Sequence, residues 1–282
     1  MKKCVFFFNC MASEIIKQLN TSSLFSSTYS IAFIPIYEYI IETGTYFNEK
    51  ELINDHKNLL IDCDLLIILS LRKDRGHLNF ANIIQYLKKD CICIKIPQYT
   101  FSGYHYPYNF LDDKNIDDSK SVLFLKDYIN NLLKNKKELI TNNLIMELEH
   151  IKNLDEISDI KCHNFIKTNY KNILLFNNRQ YATYHLFHYI AQSILIKLNI
   201  NDKLKKICTS FGSEWAEPIL PIVYKTIGLN FSTNVFNIKC NLLEYIICCK
   251  KLNTNSLYLK MRKKGRKHCN LLNTIVQSEK FK

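Results

Sequence analysis

Leu65-Leu-Ile-Ile-Leu69 is an unbroken apolar run, and it limits the fold more than any other stretch of the chain. A strand with one face in water alternates polar and apolar residues. A run without alternation belongs to a parallel strand covered on both faces. Val5 to Phe8 is a second such run; it stops at Asn9-Cys10, before the amphipathic stretch Ser13-Glu14-Ile15-Ile16-Lys17-Gln18-Leu19. Ile31–Ile36 and Cys91–Ile96 supply two further strands, and Pro35 puts the first of these at a sheet edge or strand end. Helices are expected from about Glu49 to Leu60, capped by Asn48, and from about Asn79 to Lys89. Strands and helices that alternate through short connections are the pattern of right-handed crossovers. The first ~100 residues therefore read as α/β, an open parallel sheet flanked by helices, flavodoxin-like.

Further along, Pro97–Phe110 is an aromatic loop, either packed on itself or forming the wall of a ligand pocket. A charged helical pattern covers about 118–151, a short strand is expected at Asn172–Phe176, and a strong helix runs from Ala182 or Thr183 to about Leu198. The section from Lys203 to Cys249 reads as several helices, making 201–259 a mostly helical C-terminal extension. Residues 260–282 form a basic tail.

The net charge of +12 calls for an anionic partner. Arginine, the better fork for phosphate, occurs only at 72, 75, 179, 262 and 266. The eleven cysteines are odd in number and form no regular frame, which suits a reduced, cytoplasmic protein. No apolar stretch reaches the length of a membrane span, and Cys4–Phe8 is too short for a signal sequence. Neither Cys91-x-Cys93 nor Cys162-His163 has the spacing of a zinc site, so no metal is expected.

A thiol where a first strand hands over to a first helix is placed for chemistry, because a helix N-terminus lowers a thiol pKa. Against this stands the reading of Cys10 as a small buried hydrophobe. For acyl transfer, Cys10 offers a nucleophile and the Asn9 amide an oxyanion donor. The base must be a histidine: His105 is the choice, with His77, His185 and His188 as the other candidates. Arg72 and Arg75 suit the phosphates of a ligand such as coenzyme A, or else pair with Asp74.

Taken in order, Phe8-Asn9-Cys10-Met11, Leu71-Arg72-Lys73-Asp74-Arg75-Gly76, Phe101-Ser-Gly-Tyr104-His-Tyr-Pro107 and Gln180-Tyr181-Ala182-Thr183 resemble the WcbI-type family of polysaccharide-biosynthesis acetyltransferases. That family carries Gly-Asn-Cys-Gln, an Arg-Asp loop, Phe-x-Gly-Tyr-x-Pro and Asn-His-Pro-Thr. The resemblance spans roughly residues 3–200, on which the α/β domain is taken to extend over 1–200, and implies an SGNH-hydrolase-like α/β fold. It also implies binding of coenzyme A or acetyl-coenzyme A as a substrate, and acetyl transfer to a saccharide or other hydroxyl acceptor. On this resemblance Arg72, Lys73, Arg75, Tyr104 and Thr183, together with the nearby Arg179, would contact the cofactor, and Cys10 and Asn9 would act in catalysis with His105, chosen from the chain's own histidines. The family histidine is Tyr181 here. The competing readings are an SGNH-like esterase or deacetylase, a catalytically lapsed relative, and a basic protein binding nucleic acid through its tail at 260–268.

Overall fold

The computed structural model of the chain describes residues 1–43, 46–49, 51–70, 78–104, 137–209, 219 and 221–231. Strand β1 (Lys2–Phe8) leads to α1 (Ala12–Leu19), α2 (Ser23–Thr28) and β2 (Tyr29–Pro35). A hairpin of β3 (Ile40–Thr43) and β4 (Tyr46–Glu49) precedes α3 (Asn54–Ile61), β5 (Leu65–Ser70), the single turn α4 (Phe80–Ile83) and β6 (Ile92–Pro97). Helices α5 (Lys137–Glu156), α6 (His163–Asn169), α7 (Tyr184–Lys197) and α8 (Pro221–Thr226) follow.

Four parallel strands make the main sheet, in the order β2-β1-β5-β6. Phe6 sits beside Phe33 on one side and Ile67 on the other, and Ile67 beside Ile94. The two uninterrupted apolar runs take the two central places: Cys4–Phe8 and Leu65–Leu69 are all buried. The outer strands are only partly covered, and Pro35 closes the edge strand β2, where its missing N–H costs no ladder bond. From β1 the chain moves through α1 to β2 on one side, then returns through α3 to β5 on the other. Right-handed crossovers then put α1 and α3 on opposite faces and leave a switch point between the carboxyl ends of β1 and β5.

The chain divides into two compact units. The first holds the sheet and consists of Met1–Tyr99, Ile151–Asn164 and Tyr184–Thr209. Its buried polar anchor is Asp155, which accepts from the Tyr99 hydroxyl at 2.7 Å and from the backbone N–H groups of Cys162 and His163 at 2.9 and 2.8 Å. The second contains the described residues of 100–150, 165–183 and 210–282. It is built on aromatic rings: Phe101 stacks on Phe176 at 5.3 Å and meets Tyr104 edge-on at 4.9 Å, and Tyr104 meets Phe231 at 5.7 Å. Gly103 is required there, since a Cβ would stand 2.4 Å from the Phe101 ring.

Some expected elements differ. Asn48 does not cap a helix: Asn48 and Glu49 pair antiparallel with Ile41 and Ile40, and the helix begins only at Asn54. The helix expected over Asn79–Lys89 lasts one α turn and one 3-10 turn, capped by the Asn79 side chain and ended by extended Leu87. Asn172–Phe176 is not a sheet strand, because Phe176 makes only an isolated antiparallel bridge to Ala182. Residues 201–209 are non-helical; of the helical 118–151 expectation, 137–151 is helix, and 118–136 lies outside the described residues. Among the described residues no helix is long and apolar enough to cross a membrane. Phe6→Ala is expected to destabilise the protein by about 3–5 kcal/mol, read from urea unfolding, because its fully buried ring is packed from both neighbouring strands.

Candidate functional site

Asn9 and Cys10 leave β1 at its carboxyl end, beside the switch point. The turn is tied internally: Asn9 Oδ1 accepts from the Met11 N–H at 3.1 Å, the Asn9 carbonyl from the Ala12 N–H at 3.0 Å, and the Cys10 carbonyl from the Ser13 hydroxyl at 2.9 Å. Cys10 is exposed. Its thiol is nevertheless pushed above the ordinary value, since local desolvation outweighs the pull of the Cys10 and Met11 N–H groups. This reverses the lowered pKa expected of a helix N-terminus. The physical reason is that desolvation of the thiolate costs more than those N–H groups return.

Helix α1 buries Ala12, Ile15 and Leu19, and with them Glu14 and Gln18. Polar residues one turn apart on an apolar stripe demand partners. Gln18 finds them in the backbone of Ile207, donating to its carbonyl at 2.7 Å and accepting its N–H at 3.1 Å. The same oxygen meets His188 Nδ1 at 3.1 Å. An amide oxygen only accepts, so neutral His188 carries its proton on Nδ1 and leaves Nε2 as an acceptor. Glu14 binds Lys17 through Oε1 at 2.6 Å, while Oε2 is buried without a hydrogen-bond partner.

These bonds fix the run of the chain. Gln18 lies level with His188 and Ile207, and Ser22 level with Asp202, to which it donates at 2.6 Å. Gln192 donates to the Asp202 carbonyl at 3.1 Å. Helices α1 and α7 therefore run parallel, with residues 202–207 antiparallel along both, and their N-termini open toward one end. At the head of α7, His185 stacks on Tyr184 at 4.1 Å, and Lys206 lies over the Tyr184 ring at 5.3 Å. The Tyr184 hydroxyl is pushed above its ordinary value, first by burial and then by Cys208. The His185 imidazole is pushed down to about 4, first by burial and then by the charges of Lys206 and His188. His188 is lowered by burial and by Lys206. Both are neutral at neutral pH.

The remaining sequence candidates lie outside the described residues or in the second unit. His105, His77, Arg72, Lys73 and Arg75 lie outside the described residues, as does the tail at 260–268. Tyr104, Arg179 and Thr183 belong to the second unit. The Tyr104 ring is fully buried, with its hydroxyl donating to the Tyr170 carbonyl at 2.8 Å. The Arg179 carbonyl accepts from the Phe101 N–H at 3.0 Å, and the Thr183 hydroxyl donates to the Leu174 carbonyl at 2.8 Å. Asn178 Oδ1 ties the intervening turn through the N–H groups of Gln180 and Tyr181, both at 2.8 Å. Gln18, Tyr184, Lys206 and Cys208 were not singled out by sequence. The signal for Gln18 was its place, with Glu14, on the apolar face of α1. Among the described residues no group of three or more His, Cys, Asp or Glu is placed to hold a metal ion.

A parallel sheet with a thiol-bearing turn at its switch point defines an open α/β protein, a class in which ligands bind at the carboxyl ends of the strands. No family model matches the chain, and no curated protein matches it by sequence. Among solved structures the chain is similar to WcbI, described as a novel polysaccharide biosynthesis enzyme, over 70% of this chain and 69% of that one. The TM-score is 0.51 at 13% identity, so the likeness is one of fold. The WcbI structure is of the native protein without a disulfide bond between coenzyme A and a cysteine.

Neutral histidines make stability depend on acidity. The unfolded chain takes up a proton near 6.5, but folded His185 does not until about 4. Its contribution is fully present above pH 6.5 and is lost as pH falls toward 4. The urea midpoint should therefore fall between pH 7 and 5, and fall less in His185→Gln.

Proposed function

We propose that the chain is a coenzyme A-dependent acyltransferase-like protein that acetylates a saccharide hydroxyl. The observation that carries this reading is the Asn9-Cys10 turn at the switch point of a fold shared with WcbI. Beside α1, the parallel helix α7 brings His185 to the same end.

Arg72, Lys73 and Arg75 follow the carboxyl end of β5 in sequence, and they supply the forks and the ammonium that the ligand's phosphates need. The acceptor oxygen attacks the thioester carbonyl, the C–S bond breaks, and coenzyme A leaves as its thiol once the acceptor's proton has been passed on. A neutral imidazole at His185 takes that proton. Burial and then the charge of Lys206 depress His185, and an anionic ligand beside Lys206 offsets the second of these and raises the imidazole in the direction of a working base. The amide NH2 of Asn9 is the donor offered to the developing oxyanion.

A raised Cys10 thiol and a neutral His185 do not make a preformed thiolate–imidazolium pair. That supports direct attack by the acceptor, with Cys10 lining the thioester. Isothermal titration should therefore register coenzyme A at roughly millimolar ligand or below. Acetyl transfer should survive in Cys10→Ala and drop about 10²–10⁴-fold in His185→Gln. Absence of binding heat sinks the reading; loss of all transfer in Cys10→Ala would make the thiol the nucleophile instead.

A further inference from the structure

The segment that runs along both α1 and α7 carries an unneutralised charge. Its backbone is pinned by side chains of the two helices and of the turn after α1: the Thr21 hydroxyl oxygen accepts the Lys205 N–H at 3.0 Å, Gln192 Oε1 the Leu204 N–H at 3.3 Å, and Gln18 Oε1 the Ile207 N–H at 3.1 Å. Leu204 is buried, while Lys203, Lys205 and Lys206 are exposed. Lys3, Lys17, Lys88 and Lys197 each pair with a carboxylate, whereas none of these three ammonium groups forms an ion pair among the described residues. Asp202, the one carboxylate of residues 202–207, is taken up by the Ser22 hydroxyl at 2.6 Å and by the N–H groups of Leu24 and Lys203 at 3.3 and 2.8 Å.

At the end of this strip Lys206 lies over the Tyr184 ring at 5.3 Å, and Tyr184 stacks on His185. Three unpaired cations that lead to a neutral imidazole make a surface on which an anion relieves repulsion. We propose that Lys203, Lys205 and Lys206 form an acceptor track: a binding surface for an anionic saccharide, led along the strip to the imidazole of His185. The track names the substrate class of the acyl transfer proposed for the chain, and rests on it.

Arg72, Lys73 and Arg75 already answer the phosphates of coenzyme A, so the strip is left to the other substrate. A nucleic acid fits it less well. Bases stack on a free aromatic face, and the Tyr184 ring is engaged by both Lys206 and His185. The strip also holds no arginine, the fork that reads phosphates and base edges. An ammonium is a hydrated point charge that meets a single carboxylate without bidentate geometry, which suits anionic groups spaced along sugar rings. With the backbone pinned at Gln18, Thr21 and Gln192, only the lysine side chains have to be ordered on binding.

Isothermal titration of the full chain with tetragalacturonate, a carboxylate-bearing saccharide, and with neutral maltotetraose tests the proposal. Tetragalacturonate should bind, with an affinity that falls about 10-fold or more between about 0.01 M and 0.15 M salt, and maltotetraose should not. The exposed-site double variant Lys203→Gln/Lys205→Gln should weaken binding about 3–30-fold, and Lys203→Arg/Lys205→Arg should retain it. Equal heats from the two saccharides, an unchanged affinity in the Gln variant, or tighter binding of an oligothymidylate of equal charge would overturn the assignment. A separate titration with coenzyme A reports on acyl transfer. Heat from coenzyme A with none from tetragalacturonate strikes out the track alone; the converse strikes out acyl transfer and keeps the strip as an anionic-saccharide site.

Discussion

Two strands covered on both faces set the terms for everything else in the first unit. Burying Cys4–Phe8 and Leu65–Leu69 removes water from both sides of the central pair, so helices must lie above and below, and only crossover connections supply them. The reversal of direction between the first and second crossovers then creates a switch point, and the turn leaving β1 falls beside it. Cys10 is placed there by the topology, whatever chemistry it performs.

The second organising element is a polar one. Gln18 sits on the apolar stripe of α1 and is fully buried, so leaving its amide unpaired would cost about 1–3 kcal/mol. Its three bonds engage Ile207 and His188 at once, which locks the interval between the helices and fixes the tautomer of His188. The neutrality of the nearby imidazoles follows from the same close packing, together with the charge of Lys206.

Much of this was legible in the sequence. The apolar runs of β1 and β5, the amphipathic α1 and the start of α7 could be read because burial on two faces or on one stripe imposes a pattern that needs no knowledge of partners. The α/β class followed from their alternation. Asn48 misled because a capping residue and a hairpin residue look alike when the pairing strand, Ile40–Thr43, lies outside the window. Asn172–Phe176 misled because an apolar stretch bordered by polar residues also suits a tight loop closed by one bridge. At the site, the position of Asn9-Cys10 was readable from the strand-to-helix handover. The sign of the Cys10 shift was not, since it depends on how far the folded chain desolvates the thiol. The role of Gln18 was half readable: its polarity on an apolar face announced a partner, and nothing local named Ile207.

The bond between Gln18 and Ile207 joins residues 189 apart in sequence. Contacts of that span form only after a large loop has closed, so the interval between α1 and α7 is among the last features to be assembled. A nascent chain still short of residue 207 carries the β1–α1 turn with an unpaired amide on the face of its first helix. The bond from Gln18 to His188 can form earlier, and the segment 202–207 completes the pairing of the Gln18 amide once synthesis has passed that point.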